Sequence, residues 1–419
     1  MAIWNRKKST HKVEKKGAVL GTSTTLGDFL ILGDPGSAAT PAGAFSLYEK
    51  STAISIPINT ITDSFSVLQP VLMVDGEKIT EHPLLTLLKN PSPHFTQYLF
   101  FEVMSRYYLI AGETEIVAIG NIDRPPIQLE PVSPRNVSIA PKEDGTVGSF
   151  VVTDNHWPGN YIAQEANRRV RYLDGEFREL KQIRNFSTKD GSLLRGQSLL
   201  VPASREAKQH ILGGDHNVAL LKNGGRITLV YNMEEDLTKD DFEEAKEKII
   251  RRFSGADNAG SMIITAGGKS TVTELGNSNR DMDFSRLQAA AKQAVALQYK
   301  VPLPLISTEA STFNNYTQAK LALYDDAVLP LADKLFGGLE AFLFPRFDLD
   351  PSKTKLTYDR DEITALTMRR NEELVKRAVL GVETIDETRE TLGLEALPEG
   401  GDVLIKTATV PEVRLKETE

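Results

Sequence analysis

The chain has 419 residues, 40% hydrophobic and 25% charged, the balance of a soluble protein with two to three domains at about 150 residues each. It carries a formal net charge of −8 and no cysteine, which excludes disulfide frameworks, thiolate nucleophiles and cysteine-ligated zinc. The acidic balance also argues against a conventional DNA-binding domain, whose grip on phosphate needs many cations, and no run approaches the ~18 apolar residues of a membrane span.

The first segment, MAIWNRKKSTHKVEKKG, is basic and lacks the apolar stretch of a secretory signal, so residues 1–40 read as a disordered basic arm. Asn-X-Ser/Thr triplets at Asn136, Asn185 and Asn315 therefore carry no expectation of glycosylation, and assembly in a reducing cytoplasm is expected. From Phe45 to Leu68 apolar residues fall at helical spacing with Pro57 as an expected kink, giving a helical hairpin or a bent helix. The stretch from His82 to Gly112 predicts a short helix stopped at Asn90-Pro91, then a second with Leu99, Val103, Tyr107 and Ile110 on one face and Gly112 as its C-cap.

Between Glu113 and Gly196 the pattern changes to short runs of strand character (EIVAIGN, NVSIA, GSFVVT, RRVRYL) punctuated by Pro, Gly and Asp. Ala203 to Lys222 is again helical in composition, interrupted by Gly213-Gly214 and stopped by Asn223-Gly224-Gly225. An insert of β-α-β-β character follows, with strands RITLVY, SMIIT and STVTEL. Its helix opens on a Thr238–Asp241 capping box and places Phe242, Ala245, Ile249 and Phe253 on one face. Residues 281–300 form the most alanine-rich helix of the chain, suited to close packing. After Val301-Pro302 and a polar strip, a long helix is expected from about Asn315 to Phe344, kinked at Pro330, and a last one over about Thr364 to Leu380.

A search for chemistry finds little. Six histidines are present, and His210 and His216 have no carboxylates at ligand spacing. The acidic pairs Glu234-Glu235, Asp240-Asp241, Glu243-Glu244 and Asp325-Asp326 read as solvated helix faces or caps. No phosphate-cradling Gly-rich loop or nucleophile elbow occurs. No catalytic residue, metal or cofactor is expected.

Several motifs in a fixed order carry a family likeness. They are Gly196-Gln197-Ser198, Lys222-Asn223-Gly224-Gly225, and Lys300-Val301-Pro302-Leu303-Pro304-Leu305-Ile306. Next come Thr312-Phe313-Asn314-Asn315 with Gln318-Ala319, and Leu329-Pro330-Leu331. Last are Arg370 with Glu372, Leu380-Gly381, Thr384, Glu387, Arg389 and Gly400-Gly401-Asp402. Over about residues 45 to 403 this order resembles the portal, or head–tail connector, proteins of long-tailed double-stranded DNA bacteriophages and gene-transfer particles. The sequence departs from the family pattern at Arg226-Ile227, where a further Pro or Gly is usual, so the start of the insert stays open.

The resemblance implies an α+β portal fold in a ring of about twelve subunits around a channel. It implies a wing over 41–202, a stem from 203–224 and 281–301, a clip over 225–280 and a tunnel loop over 302–316. A long kinked helix with wing return would span 317–359, a crown 360–405 and a flexible tail 406–419. Ser307, Thr308, Ser311, Thr312, Phe313, Asn314 and Asn315 would face DNA in the tunnel loop, with Phe313 either a steric finger or an anchor of the loop base. Arg286, Lys292 and Lys300 would line the channel from the stem. Implied partners are double-stranded DNA passing without sequence preference, the terminase large subunit, the major capsid protein or scaffold, and a head-completion or tail adaptor, with no membrane; the place is the virion. A ring-shaped adaptor without a DNA-gating role, and an enzyme with a site shared between subunits, are the competing readings.

Overall fold

The computed structural model describes residues 38–121, 124–142, 147–153, 163–165, 168–174, 179–188, 194–222, 228–233, 262–266, 271–275, 284–307, 313–360, 362–380, 384–391, 395–398 and 401–404. The basic arm, apart from its last three residues, and the predicted Phe242–Phe253 helix lie outside them. Helix α1 (Pro41–Lys50) opens on Thr40, whose hydroxyl accepts from the Gly43 N–H at 3.2 Å. Helix α2 (Thr52–Ser66) follows after a single extended residue, Ser51. The bend therefore falls at Ser51 and not at Pro57, which is buried inside α2. There the packing of Ile54, Ile58, Ile61 and Phe65 outweighs the lost backbone hydrogen bond.

Strands β1 (Pro70–Val74) and β2 (Glu77–Ile79) form a hairpin, and α3 (Pro83–Lys89) precedes α4 (Gln97–Ala111). Gly112 ends α4 in the left-handed region at φ 80°, its N–H bonded to the Tyr108 carbonyl. The buried face of α4 is not the whole expected Leu99–Val103–Tyr107–Ile110 stripe, of which only Ile110 is fully buried. Phe100, Phe101, Met104 and Tyr108 face the core, while Leu99 is exposed. Two stripes one residue apart compete on this helix, and the one with the larger aromatic area is buried.

The module after Gly112 holds two sheets. Strands β3 (Glu113–Ile119), β4 (Gln128–Val132) and β9 (Leu180–Arg184) pair antiparallel in the order β4-β3-β9. Strands β5 (Val137–Pro141), β6 (Val147–Thr153), β7 (Ala163–Glu165) and β8 (Arg168–Asp174) form the other sheet, ordered β5-β6-β8-β7. Alternation along β3 gives the first sheet two covered faces. Ile116, Ala118, Leu129 and Ile183 join the helical core, whereas Val117, Val132 and Leu180 pack with Val137, Ile139 and Phe150 of the second sheet.

Helix α5 (Ser204–Lys222) runs unbroken through Gly213-Gly214, where the sequence predicts an interruption. Gly213 is buried on a helix that packs along α6 (Phe284–Gln298), and this contact overrides a glycine cost of about 1 kcal/mol per residue. Between them, β10 (Thr228–Met233) pairs parallel with β11 (Met262–Ala266) and antiparallel with β12 (Thr271–Leu275). Helix α7 (Phe313–Leu323) passes through a five-residue π turn, Tyr324–Val328, into α8 (Leu329–Leu343). Pro330 thus sits in the first turn of α8, and the widened turn before it spares its ring a clash with the preceding carbonyls. Phe336 of α8 meets Phe65 and Phe101 with ring centroids 5.6–5.9 Å apart.

Strand β13 (Thr354–Tyr358) returns to pair with β1 and closes a sheet ordered β13-β1-β2 that no sequence pattern announced. Helix α9 (Thr364–Leu380) occupies the predicted span, and α10 (Ile385–Thr391) completes the described elements.

The adjacent glycines of α8 give a direct test of this packing. A Cβ on Gly338 would lie 2.4 Å from Ile183 Cδ1 on β9, while one on Gly337 meets nothing within 4 Å. Gly338→Ala should cost about 1–3 kcal/mol through overpacking. Gly337→Ala should gain about 0.5–1 kcal/mol from helix propensity. Chemical denaturation of both variants checks the contrast.

Candidate functional site

The candidate site is the polar strip between α6 and α7, together with the outward faces of α5 and α6. Helix α6 ends with the Val301 N–H bonded to the Ala296 carbonyl at 2.9 Å and the Lys300 N–H to the Leu297 carbonyl at 3.0 Å. Lys300 is left-handed at φ 56°. This is a Schellman stop, with lysine where glycine or asparagine is usual. The Tyr299 hydroxyl donates to the Leu109 carbonyl at 3.0 Å and ties the stop to α4. Full burial pushes its phenol well above the ordinary tyrosine range, so it stays a donor.

Pro302 then opens a 3-10 turn, Leu303–Leu305, closed by the Ser307 N–H on the Leu303 carbonyl at 2.9 Å. Val301 is buried, Leu305 and Ile306 pack on the helical core, and the turn rests against α7. Within the 302–316 span the first residues are anchored, and α7 has begun by Phe313.

Of the expected loop residues, Ser307 and Asn315 are exposed, and Phe313, Asn314 and Asn315 form the first turn of α7. Thr308, Ser311 and Thr312 lie outside the described residues. Arg286, Lys292 and Lys300 are all exposed along α6 and its stop. Lys292 lies close enough to His210 of α5 that its charge, after burial, holds the imidazole below its usual value. His210 Nδ1 also lies 3.1 Å from the Ser51 hydroxyl. His210 is thus a neutral joint between α5 and the start of α2, and His216 does not join it in a ligand set. Among the described residues no three His, Asp or Glu groups converge on a point that could hold a metal.

The helix pair also carries a feature that sequence spacing does not single out. Leu212 and Leu221 on α5 are 57% and 77% exposed, and Leu297 on α6 is 64% exposed. The helices bury one side against each other and the core, and leave these leucines outward. On α6, Leu297 lies off the buried side of Ala291 and Val295; on α5, Leu212 and Leu221 are nine residues apart and so project from opposite sides of the helix.

The remaining motif residues have structural work. Gly196 approaches Gly112 so closely that a Cβ on it would lie 2.1 Å from the Gly112 carbonyl oxygen. Ser198 donates its hydroxyl to the Ile110 carbonyl at 2.5 Å, and Gln197 Oε1 accepts from Thr188 at 2.7–2.8 Å. Thr384 and Glu387 form a reciprocal capping box on α10, at 2.7 and 3.2 Å. The Gly401 carbonyl accepts from the Asp386 N–H at 2.8 Å, and Arg389 Nε donates to the Glu395 carbonyl, also at 2.8 Å. They close a compact unit around the last helices.

With this geometry in hand, comparison with known proteins is specific. Residues 52–393 match the family model described as phage portal protein. An uncharacterized protein of Rickettsia bellii (strain RML369-C) is 27% identical over 335 residues, covering 78% of this chain and 81% of the relative. A chain from the neck of an empty gene transfer agent particle, computed with C6 symmetry, superposes with a TM-score of 0.61 at 23% identity, covering 84% of this chain and 93% of that one. Another, from the neck of the native particle computed with C12 symmetry, gives 0.58 at 22% identity over 90% and 96%. The chain shares their α+β fold, and the match over residues 52–393 places it in the phage portal protein family.

Proposed function

We propose that about twelve copies of this chain close into the ring through which double-stranded DNA enters and leaves a virion. As a portal protein the chain is a structural component, without catalysis of its own. In this reading the wing comprises 41–202 with 317–359, the stem α5 and α6, the clip 225–280, the tunnel loop 302–316 and the crown 360–405. The tail would follow at 406–419.

The observation that carries the ring is the apolar surface that Leu212, Leu221 and Leu297 leave exposed on more than one side of the packed α5–α6 pair. A subunit alone leaves that surface in water; copies side by side cover it. The small β10 sheet supports the same reading. Both its outer strands, β11 and β12, have an open edge among the described residues, and pairing with a neighbouring clip would satisfy them.

The charge of the chain fits transit. A net charge of −8 repeated around a ring repels phosphate, leaving sparse cations such as Arg286, Lys292 and Lys300 for weak contact. Hydroxyls and amides at Ser307, Thr308, Ser311, Thr312, Asn314 and Asn315 would add exchangeable hydrogen bonds to the backbone, without sequence preference. Motor work would belong to a terminase docked on the clip, and capsid or scaffold and a tail adaptor would dock on the wing and the outer end of the ring.

Light scattering of the purified chain should give a closed ring on the order of 550 kDa from 46.2 kDa subunits. A persistent monomer at high concentration would count against the ring. Leu221→Asp with Leu297→Asp should weaken assembly at least about tenfold, since each buries a charge, with the subunit's helix content unchanged. Replacing Thr308, Ser311 and Thr312 by alanine should lower packaged DNA per particle while the ring mass stays the same. Packaging that survives this change would favour an adaptor without a gating role.

A further inference from the structure

Beneath the entry to the stem lies a group of buried charges with no part in the ring reading. Glu113 and Glu115 alternate on β3, so both face the second sheet, and both are fully buried. Gln182, directly across from Glu115 on β9, donates through Nε2 to Glu113 Oε2 at 3.0 Å, Glu115 Oε1 at 3.4 Å and the Leu194 carbonyl at 3.1 Å. Arg195 pairs with Glu113 at 2.5 Å and donates to the carbonyls of Pro134 and Val137. The Gly196 N–H completes Glu113 with a 2.8 Å bond to Oε2.

Glu113 is saturated by these donors. Glu115 Oε2 is buried with no hydrogen-bond partner. Two carboxylates share one paired guanidinium. The other charged groups on this face do not restore the balance. Arg184, opposite Glu113, pairs with neither carboxylate among the described ion pairs, and Glu130, opposite Val117 on β4, makes contacts of its own. Lys181 projects to the other face of the sheet. The second-sheet side chains that pack on this face, Val137, Ile139 and Phe150, are apolar, and Arg171 of β8 is at the register position opposite Val152. An unpaired charge buried here costs far more than a neutral acid.

We propose that the Glu113–Glu115 pair holds one proton at neutral pH, on Glu115, and that this proton latches residues 194–198 onto β3 at the point where the chain turns into α5. Burial first, and then the negative charge of Glu113, push the Glu115 carboxyl well above the usual carboxylate range, against the opposing pull of Arg195 and Gln182. The folded state therefore keeps a proton that an opened strand gives up above the ordinary glutamate value. Its contribution is complete below that value and is lost as pH rises through the raised one. Losing the proton sets two carboxylates against each other under the strap, and Gln182, Arg195 and Gly196 are the groups that hold the strap down.

The test is amide exchange read by mass spectrometry on the full chain in its assembled state, from about pH 6 to about pH 9, corrected for intrinsic rates. In the wild type, protection of peptides spanning 110–116 and 194–203 should fall by up to about tenfold per pH unit, the limit for one linked proton. Peptides from α8 should hold steady. Glu115→Gln, which keeps the shape and removes the titration, should make strap protection independent of pH and at least equal to wild type at the alkaline end. Strap protection independent of pH in the wild type overturns the proposal, whatever the variant does. So does a Glu115→Gln chain that retains the wild-type slope.

Discussion

A backbone approach too close for any side chain organises the rest of the molecule. Gly112 turns left-handed at the end of α4, and Gly196 lies against its carbonyl with no room for a Cβ on either. That single contact joins the last turn of the helical core, the first residue of β3 and the strap into α5. The Asn185 N–H also donates to the Gly112 carbonyl, at 2.7 Å, so the end of β9 is fixed at the same point. Neither chain segment can move without the other, so the direction in which α5 leaves the sheets is set by two hydrogen atoms standing where methyl groups would otherwise be.

Around this junction the first sheet works as a wall with two inhabited faces. Its helical side presents Ile116 and Ile183 to a core of phenylalanines, and its other side presents Val117 and Leu180 to a second sheet. Arg195 stitches the sheets by reaching from Glu113 to the carbonyls of Pro134 and Val137. A charge in that position is tolerated because its partners are fixed on β3, on β5 and in the 3-10 turn Pro134–Asn136 that precedes β5.

Legibility in the sequence tracks how local the deciding interaction is. The α9 span, the Gly112 stop and the exit at Val301-Pro302 depend on propensity, capping and proline sterics within a few residues, and all are readable. The sheet of β1 and β13 pairs Leu72 with Leu356, and nothing local marks either strand for the other. Continuity of α5 through Gly213-Gly214 depends on α6, and the buried face of α4 depends on Phe65 and Phe336, so sequence spacing misleads at both for the same reason. At the candidate site the polar composition is legible. Its anchoring is not, because the Tyr299 bond to Leu109 and the packing of Leu305 and Ile306 are tertiary. The outward leucines escape notice because tertiary contacts decide which parts of α5 and α6 are covered.

The π turn between α7 and α8 has an implication for how such a chain varies over time. A turn with one extra residue rotates the helix before it by about 100° relative to the helix after it. The side of α7 that neighbours the polar strip is thereby released from the side of α8 that fills the helical core. Insertions or drift in the strip can be taken up at Tyr324–Val328 without disturbing the seat of Phe336. The molecule can thus vary the polar strip while its interior keeps its register, as a clutch separates two shafts on one axis.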